Sequence, residues 1–199
     1  MPNPVSETRS QKPASDPRQR VADGRYGGPA DLRAATTRGP STPTIVRGEP
    51  PSEPTLVSIV TAQDALEYTH AFVAAYCKHR FRATVAEGLT VAAHELLENA
   101  INYGSVSNQV LFEIIERTGA AAVRVTNETI PARLEMLRQH IEKLAANPEA
   151  VMVEEMKRSM GSSRIRPMLG LARVVQEAGL GLELYIVGSR VAVLARAST

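Results

Sequence analysis

The chain has 199 residues, with 23 Lys and Arg against 21 Asp and Glu and a formal net charge of +2. Hydrophobic residues make up 43%, so one globular core fits this length and two would be cramped. This balance gives no basic footprint for nucleic acid, no run of about 20 apolar residues offers a membrane span, and residues 1–30 lack the apolar stretch of a secretory signal.

In chain order, residues 1–54 come first. They hold ten of the 13 prolines, eight basic and six acidic residues, and few large apolar ones. Such a stretch buries too little apolar surface to offset chain entropy, so it reads as a disordered, Pro-rich tail. It is either an inert extension or a flexible basic arm that recruits a partner. The folded domain is expected over residues 55–199, where 15 basic residues balance 15 acidic ones. The alternating, β-branched run Thr55–Val60 predicts a strand. Thr61 and Asp64 form a capping-box signature for a helix to about Phe81, with Leu66, Phe72, Val73, Tyr76 and Cys77 on its buried side. Thr84 and Glu87 repeat that signal for a second helix, which ends at Tyr103 before Gly104. Val85, Leu89, Ala92, Ala93, Leu96 and Ala100 give it an apolar stripe. Strands follow at 109–116 and 121–126, then helices at Pro131–Ala146 and Pro148–Met160, with Pro148 suited to a first turn. A loop at 161–167 leads to a helix over Met168–Ala178. The chain closes with strands 182–187 and 190–195 around Gly188-Ser189, a two-residue hairpin signal.

The order β-α-α-β-β-α-α-α-β-β groups helices between strand pairs. It predicts an α+β two-layer sandwich, with a mixed and mostly antiparallel sheet and helices on one face, and not a doubly wound sheet. The only cysteine, Cys77, excludes an internal disulfide, and the four scattered histidines give no zinc spacing. Together these features predict a cytoplasmic protein, with no nucleic acid or membrane partner. Met152, Met156 and Met160 recur at every fourth residue. Core packing is the plain reading of that stripe, and an adaptable docking surface is the sharper one.

Candidate chemistry concentrates in His94-Glu95-Leu96-Leu97-Glu98-Asn99-Ala100-Ile101-Asn102-Tyr103-Gly104. Glu95, Asn99 and Asn102 fall on one helix face, with neighbouring Cβ atoms about 5–6 Å apart. An Asn carboxamide oxygen is a hard neutral ligand for magnesium, and a carboxylate one turn away can accept a proton from a hydroxyl. From spacing alone the plainer reading is a solvated polar face. His94 adjoins Glu95 but projects about 100° away from it around the helix.

That segment resembles the N-box helix of the histidine-kinase-like (GHKL, Bergerat-fold) ATPases. It is similar above all to the branch of anti-sigma-factor serine kinases and SiaB-type regulatory kinases. The resemblance implies that Asn99 binds magnesium, that Glu95 is the catalytic base, and that Asn102 contributes to the nucleotide site. Leu169-Gly170-Leu171-Ala172-Arg173 resembles the end of the family's glycine-rich box, which places Gly170 at the nucleotide. The helix that follows such a box presents its N-terminus to phosphates. The adenine box D-x-G-x-G is represented by Asn127-Glu128-Thr129-Ile130-Pro131. Asn127 can still accept from an adenine amino group, whereas Thr129, Ile130 and Pro131 lack the backbone freedom of glycine. Arg164 and Arg166 stand where upstream glycines are expected; they are either phosphate contacts or solvated loop charges.

Two functions follow as expectations. The first is a regulatory module that binds ATP and Mg2+ and acts on a signalling protein, such as an anti-sigma antagonist-like regulator, by Ser or Thr phosphorylation. The second is a Bergerat-fold scaffold without nucleotide that binds partner proteins. Homodimer formation is left open by both.

Overall fold

A computed structural model describes residues 42–53, 55–61, 66–104, 109–117, 119–160 and 167–198. Its elements are β1 (Thr44–Arg47), β2 (Thr55–Thr61), α1 (Leu66–Arg80), α2 (Ala83–Tyr103), β3 (Val110–Arg117), β4 (Ala120–Glu128), α3 (Pro131–Ala146), α4 (Pro148–Met160), α5 (Pro167–Gln176), β5 (Gly181–Val187) and β6 (Arg190–Ser198). The sheet has the order β1-β5-β6-β4-β3-β2, with every neighbouring pair antiparallel except β1 and β5. The architecture is the expected α+β sandwich with a mixed, mostly antiparallel sheet.

Alternation along the strands separates the two faces of the sheet. Val123, Val125, Val191, Val193 and Ala195 point into the main core, where they meet Leu89, Ala93, Leu96 and Ala100 of α2 and Leu171 and Val174 of α5. Ala122, Ala192 and Leu194 point the other way and form a smaller cluster with Ile115 and Tyr185. The whole stripe read on α2 is buried. Positive φ at Gly119 and Gly188 closes the β3–β4 and β5–β6 hairpins, a conformation that glycine adopts without steric cost.

Several expectations need correction. Residues 44–47 lie within the stretch read as tail, yet they form β1, so the folded part begins before Thr55. The signal was weak because the strand is short and its partner β5 lies far along the chain. From β1 at one edge, the chain reaches β2 at the opposite edge. The eight residue steps from Arg47 to Thr55 extend to about 26 Å, so a connection between opposite edges of a six-stranded sheet has little slack. Prolines suit such a connection. It crosses the face away from the helices, where Arg124 Nη1 donates to Pro51 O at 3.2 Å and Arg196 Nη2 donates to Glu53 Oε1 at 3.1 Å. Arg124 also holds Glu113 by two hydrogen bonds, at 2.6 and 2.9 Å.

Of the two capping signals, the second fails and the first is only partly described. Thr61 ends β2, and its hydroxyl bonds that of Thr69 at 3.0 Å; the rest of that capping box lies outside the described residues. The N-cap of α2 is Arg82, which makes no side-chain cap bond, and Thr84 lies inside the helix. Thr69, Val73 and Cys77 form the buried ridge of α1, while Phe72 is 46% exposed against Tyr76. Burial pushes the Cys77 thiol up to about 11, as befits an inert core residue. In the methionine stripe, Met152 is buried and Met156 is largely exposed; the Met160 side chain lies outside the described residues. Among the described residues, no helix is long and apolar enough to cross a membrane.

The strap is expected to be structural. A chain that begins at Thr55 should melt roughly 10 °C below one that begins at Thr42, because it loses β1 and leaves Arg196 without Glu53, a loss of about 3 kcal/mol. Thermal unfolding of the two truncations followed by circular dichroism checks this, and equal midpoints would show the strap to be dispensable.

Candidate functional site

Helix α2 packs on the sheet with α1 and α5 beside it, so its polar residues emerge along the seams. On one side Leu96, Asn99, Ala100 and Tyr103 border a cavity of about 60 Å³, room for a few waters. Its other walls are Val125, Asn127 and Thr129 from β4 and its end, Val191 and Val193 from β6, Leu171 from α5, and Arg133, Met136 and Leu137 from α3. The lining is largely apolar, with a few polar groups at fixed points, the composition of a small-molecule site, while the volume is well below the roughly 300–1,000 Å³ that such sites enclose.

Those polar groups are held in defined ways. Asn127 Nδ2 donates to Ala100 O at 3.4 Å and to Glu128 O at 3.2 Å, which leaves Oδ1 to accept from elsewhere. Asn99 Nδ2 is buried and has no hydrogen-bond partner among the described residues. A buried amide of this kind is costly unless a ligand or water completes it. Thr129 Oγ1 donates to Tyr103 O at 3.1 Å, and Arg133 Nη1 donates to Gly104 O at 2.8 Å while its guanidinium lies 5.9 Å from the Tyr103 ring centroid. Gly104 ends α2 with φ −64°; it is needed there for space, since a Cβ would overlap Ala100 O.

Glu95 sits one turn before Asn99, at the seam between α2 and α5, and is 8% exposed. Its Oε1 accepts from Arg173 Nη1, and its Oε2 packs against Gly170, where a Cβ would overlap it. Burial raises its pKa above the ordinary carboxylate value, while Arg173 and His94 pull it down and Glu98 and Glu177 add to the rise. Arg173 Nε also donates to Glu177 Oε2 at 2.9 Å.

The structure therefore brings Asn99 and Asn127 to one cavity and Glu95 and Gly170 to the adjoining seam. Asn102 is exposed and is not among the cavity's walls. Arg164 and Arg166 lie outside the described residues. Sequence reasoning did not single out Arg133 or the pairing of Arg173 with Glu95. The second spans 78 residues, and no local pattern encodes it. His94 packs edge-on against His70 of α1, with ring centroids 4.7 Å apart, and its Nε2 lies 3.4 Å from Glu98 Oε1. Among the described residues, no group of three or more His, Cys, Asp or Glu is placed to hold a metal ion.

The class defined by these features is an α+β sandwich whose long helix carries an Asn beside a cavity and a Glu in the adjoining seam. No family model matches the chain, and no curated protein matches it. Among solved structures it is similar to a chain of the SiaB–SiaC complex from Pseudomonas aeruginosa, with 17% identity and a TM-score of 0.52 over 73% of this chain and 91% of that one. The likeness is one of fold.

Two outcomes are expected. Gly170→Ala should cost about 1–2 kcal/mol, because the new methyl displaces a paired carboxylate and meets Glu95 Cβ at 3.2 Å. Made in a Glu95→Ala background, the same change should cost less, because the carboxylate is gone and only the Cβ contact remains, and a double-mutant cycle by urea unfolding reads the difference. Second, the folded chain holds the Glu95 proton more tightly than the unfolded chain does. This group's contribution to stability is therefore full below the unfolded pKa and falls as pH rises through the folded one. Melting curves between pH 4 and 8 should show a flatter decline for Glu95→Gln than for the wild type.

Proposed function

We propose that the chain is a cytoplasmic regulatory module of the histidine-kinase-like type, which binds ATP with magnesium beside α2 and phosphorylates a Ser or Thr on a signalling protein partner. The observation that carries this reading is the placement of two amides in one cavity, one with its nitrogen unbonded and the other with its oxygen available. The polar groups suit a nucleotide, and the cavity of about 60 Å³ would have to open to hold one. Asn127 Oδ1 would accept from the adenine amino group between apolar walls, and Asn99, whose amide has no partner to fix it, would turn its oxygen to magnesium. Met136, unbranched and half exposed, would swing out to admit the ring. ATP supplies the phosphoryl group, and magnesium offsets its charge. Glu95 would accept the proton of the attacking hydroxyl, which requires its carboxylate to turn from α5 toward the cavity. The fold likeness to a chain of a two-protein complex supports a regulatory protein as the partner.

A second reading is the partner-binding scaffold without nucleotide. The Thr129 hydroxyl, bonded to Tyr103 O, favours it, because it stands where an adenine box would leave open backbone.

Titration with a fluorescent ATP analogue decides between the two. Saturable, magnesium-dependent binding is expected, at least tenfold weaker in Asn99→Ala and in Asn127→Ala, a loss of about 1.4 kcal/mol. No binding at millimolar nucleotide would overturn the nucleotide reading and leave the scaffold. With labelled ATP and candidate partners, Glu95→Gln should reduce transfer by roughly a hundredfold or more. Undiminished transfer would remove Glu95 from the role of base.

A further inference from the structure

Glu95 is more completely committed than a free base would be. One carboxylate oxygen is bonded to Arg173 and the other is pressed on Gly170, so both face α5 and neither faces the cavity. The charged and titratable groups around it are Arg173 on α5 and Glu177 just past its end, and His94 and Glu98 on α2, with His70 on α1 behind His94. Arg173 is the cation of this set that bonds the carboxylate directly, and it is shared with Glu177, four residues further on.

The sharing is unequal. The Arg173 side chain is 40% exposed and that of Glu95 is 10% exposed. If the pair opens, Arg173 keeps Glu177 and water, whereas Glu95 is left as an unpaired, desolvated carboxylate. Glu95 therefore has much to lose and Arg173 little. Local sequence spacing does not explain why an arginine on α5 should reach α2 when a suitable acid lies four residues away, just past the end of α5.

We infer that Arg173 is the positioning residue for Glu95: its guanidinium keeps the carboxylate ionised and aimed along the α2–α5 seam, and Glu177 competes for the same guanidinium and so sets how firmly the carboxylate is held. This deepens the reading of Glu95 as the base and rests on it. When Glu95 turns from α5 to take a hydroxyl's proton, the arginine falls back on Glu177. Arg173 does not touch the reacting atoms in this scheme.

The direct test is a carboxyl-carbon NMR titration of Glu95 in the full chain, in wild type, Arg173→Gln, Arg173→Lys and Glu177→Gln. Arg173→Gln should raise the Glu95 midpoint by about one pH unit or more. Arg173→Lys should restore most of that shift. Glu177→Gln, an exposed substitution that the fold tolerates, should lower the midpoint, and it keeps the inference testable should Arg173→Gln fail to fold. In phosphoryl transfer, the acid limb of the pH–rate profile should move upward in Arg173→Gln, with kcat affected and KM for ATP preserved. A Glu95 midpoint unmoved in both Arg173→Gln and Glu177→Gln overturns the inference, as does a limb that stays in place while transfer proceeds. A wild-type chain that transfers no phosphate overturns the kinase reading alone. The titration shifts, if present, then still establish Arg173 as the group that sets the Glu95 charge.

Discussion

A carboxylate taken out of water must find a cation or lose its charge, and that constraint organises the helical layer of this protein. Glu95 enters the seam between α2 and α5, and α5 answers it twice. It places an arginine at one oxygen and removes the side chain facing the other. Arg173 and Gly170 are three residues apart, so one helical face supplies both answers. That pairing helps fix the rotation of α5, and the remaining residues then fall where the core needs them: Leu171, Ala172, Val174 and Val175 are all buried.

The same logic explains why core and site share one helix. The stripe of α2 that includes Leu89, Ala93, Leu96 and Ala100 is spent on the sheet, so its polar residues emerge at the edges of the contact. Asn99 emerges beside the sheet and α3, and Glu95 beside α5. A residue in such a seam is held by packing on both sides, which gives a rigid position at the expense of desolvation. The rise in the Glu95 pKa and the unbonded Asn99 amide are two forms of that expense.

What the sequence made legible is what local patterns encode. Helices α3 and α4 begin at Pro131 and Pro148 because proline suits a first turn, and both were readable to the residue. The final hairpin followed from Gly188-Ser189. Hydrophobic spacing gave the buried stripe of α2, because an apolar face three to four residues wide has no other use on a helix that long. Non-local facts were not legible. β1 is four residues among prolines, and its meaning comes from Leu184 and Tyr185, residues far later in the chain. Phe72 looks like a core residue, yet the ridge that meets α2 is Thr69, Val73 and Cys77, with a hydroxyl pair taking the polar position. In the candidate site the chemistry-bearing residues of α2 stood out because they are few and closely spaced. The partner of Glu95 did not, since an arginine four residues before a glutamate reads as an ordinary exposed helix pair.

The two amides of the cavity differ from the Glu95 seam in how much they owe to the fold. β4 is an inner strand against which α2 packs, so a side chain near the end of α2 and one near the end of β4 meet here. The likeness at 17% identity is one of fold and no more. What belongs to this chain is how the polar groups are committed: Asn127 gives its nitrogen to α2 and to its own strand, Thr129 closes on Tyr103, and Arg133 ties α3 to the end of α2. Three of these bonds end on carbonyls that a helix terminus would otherwise leave to solvent. The cavity wall thus doubles as the C-terminal cap of α2, and a ligand that displaced Asn127 or Arg133 would loosen the helix that carries Asn99.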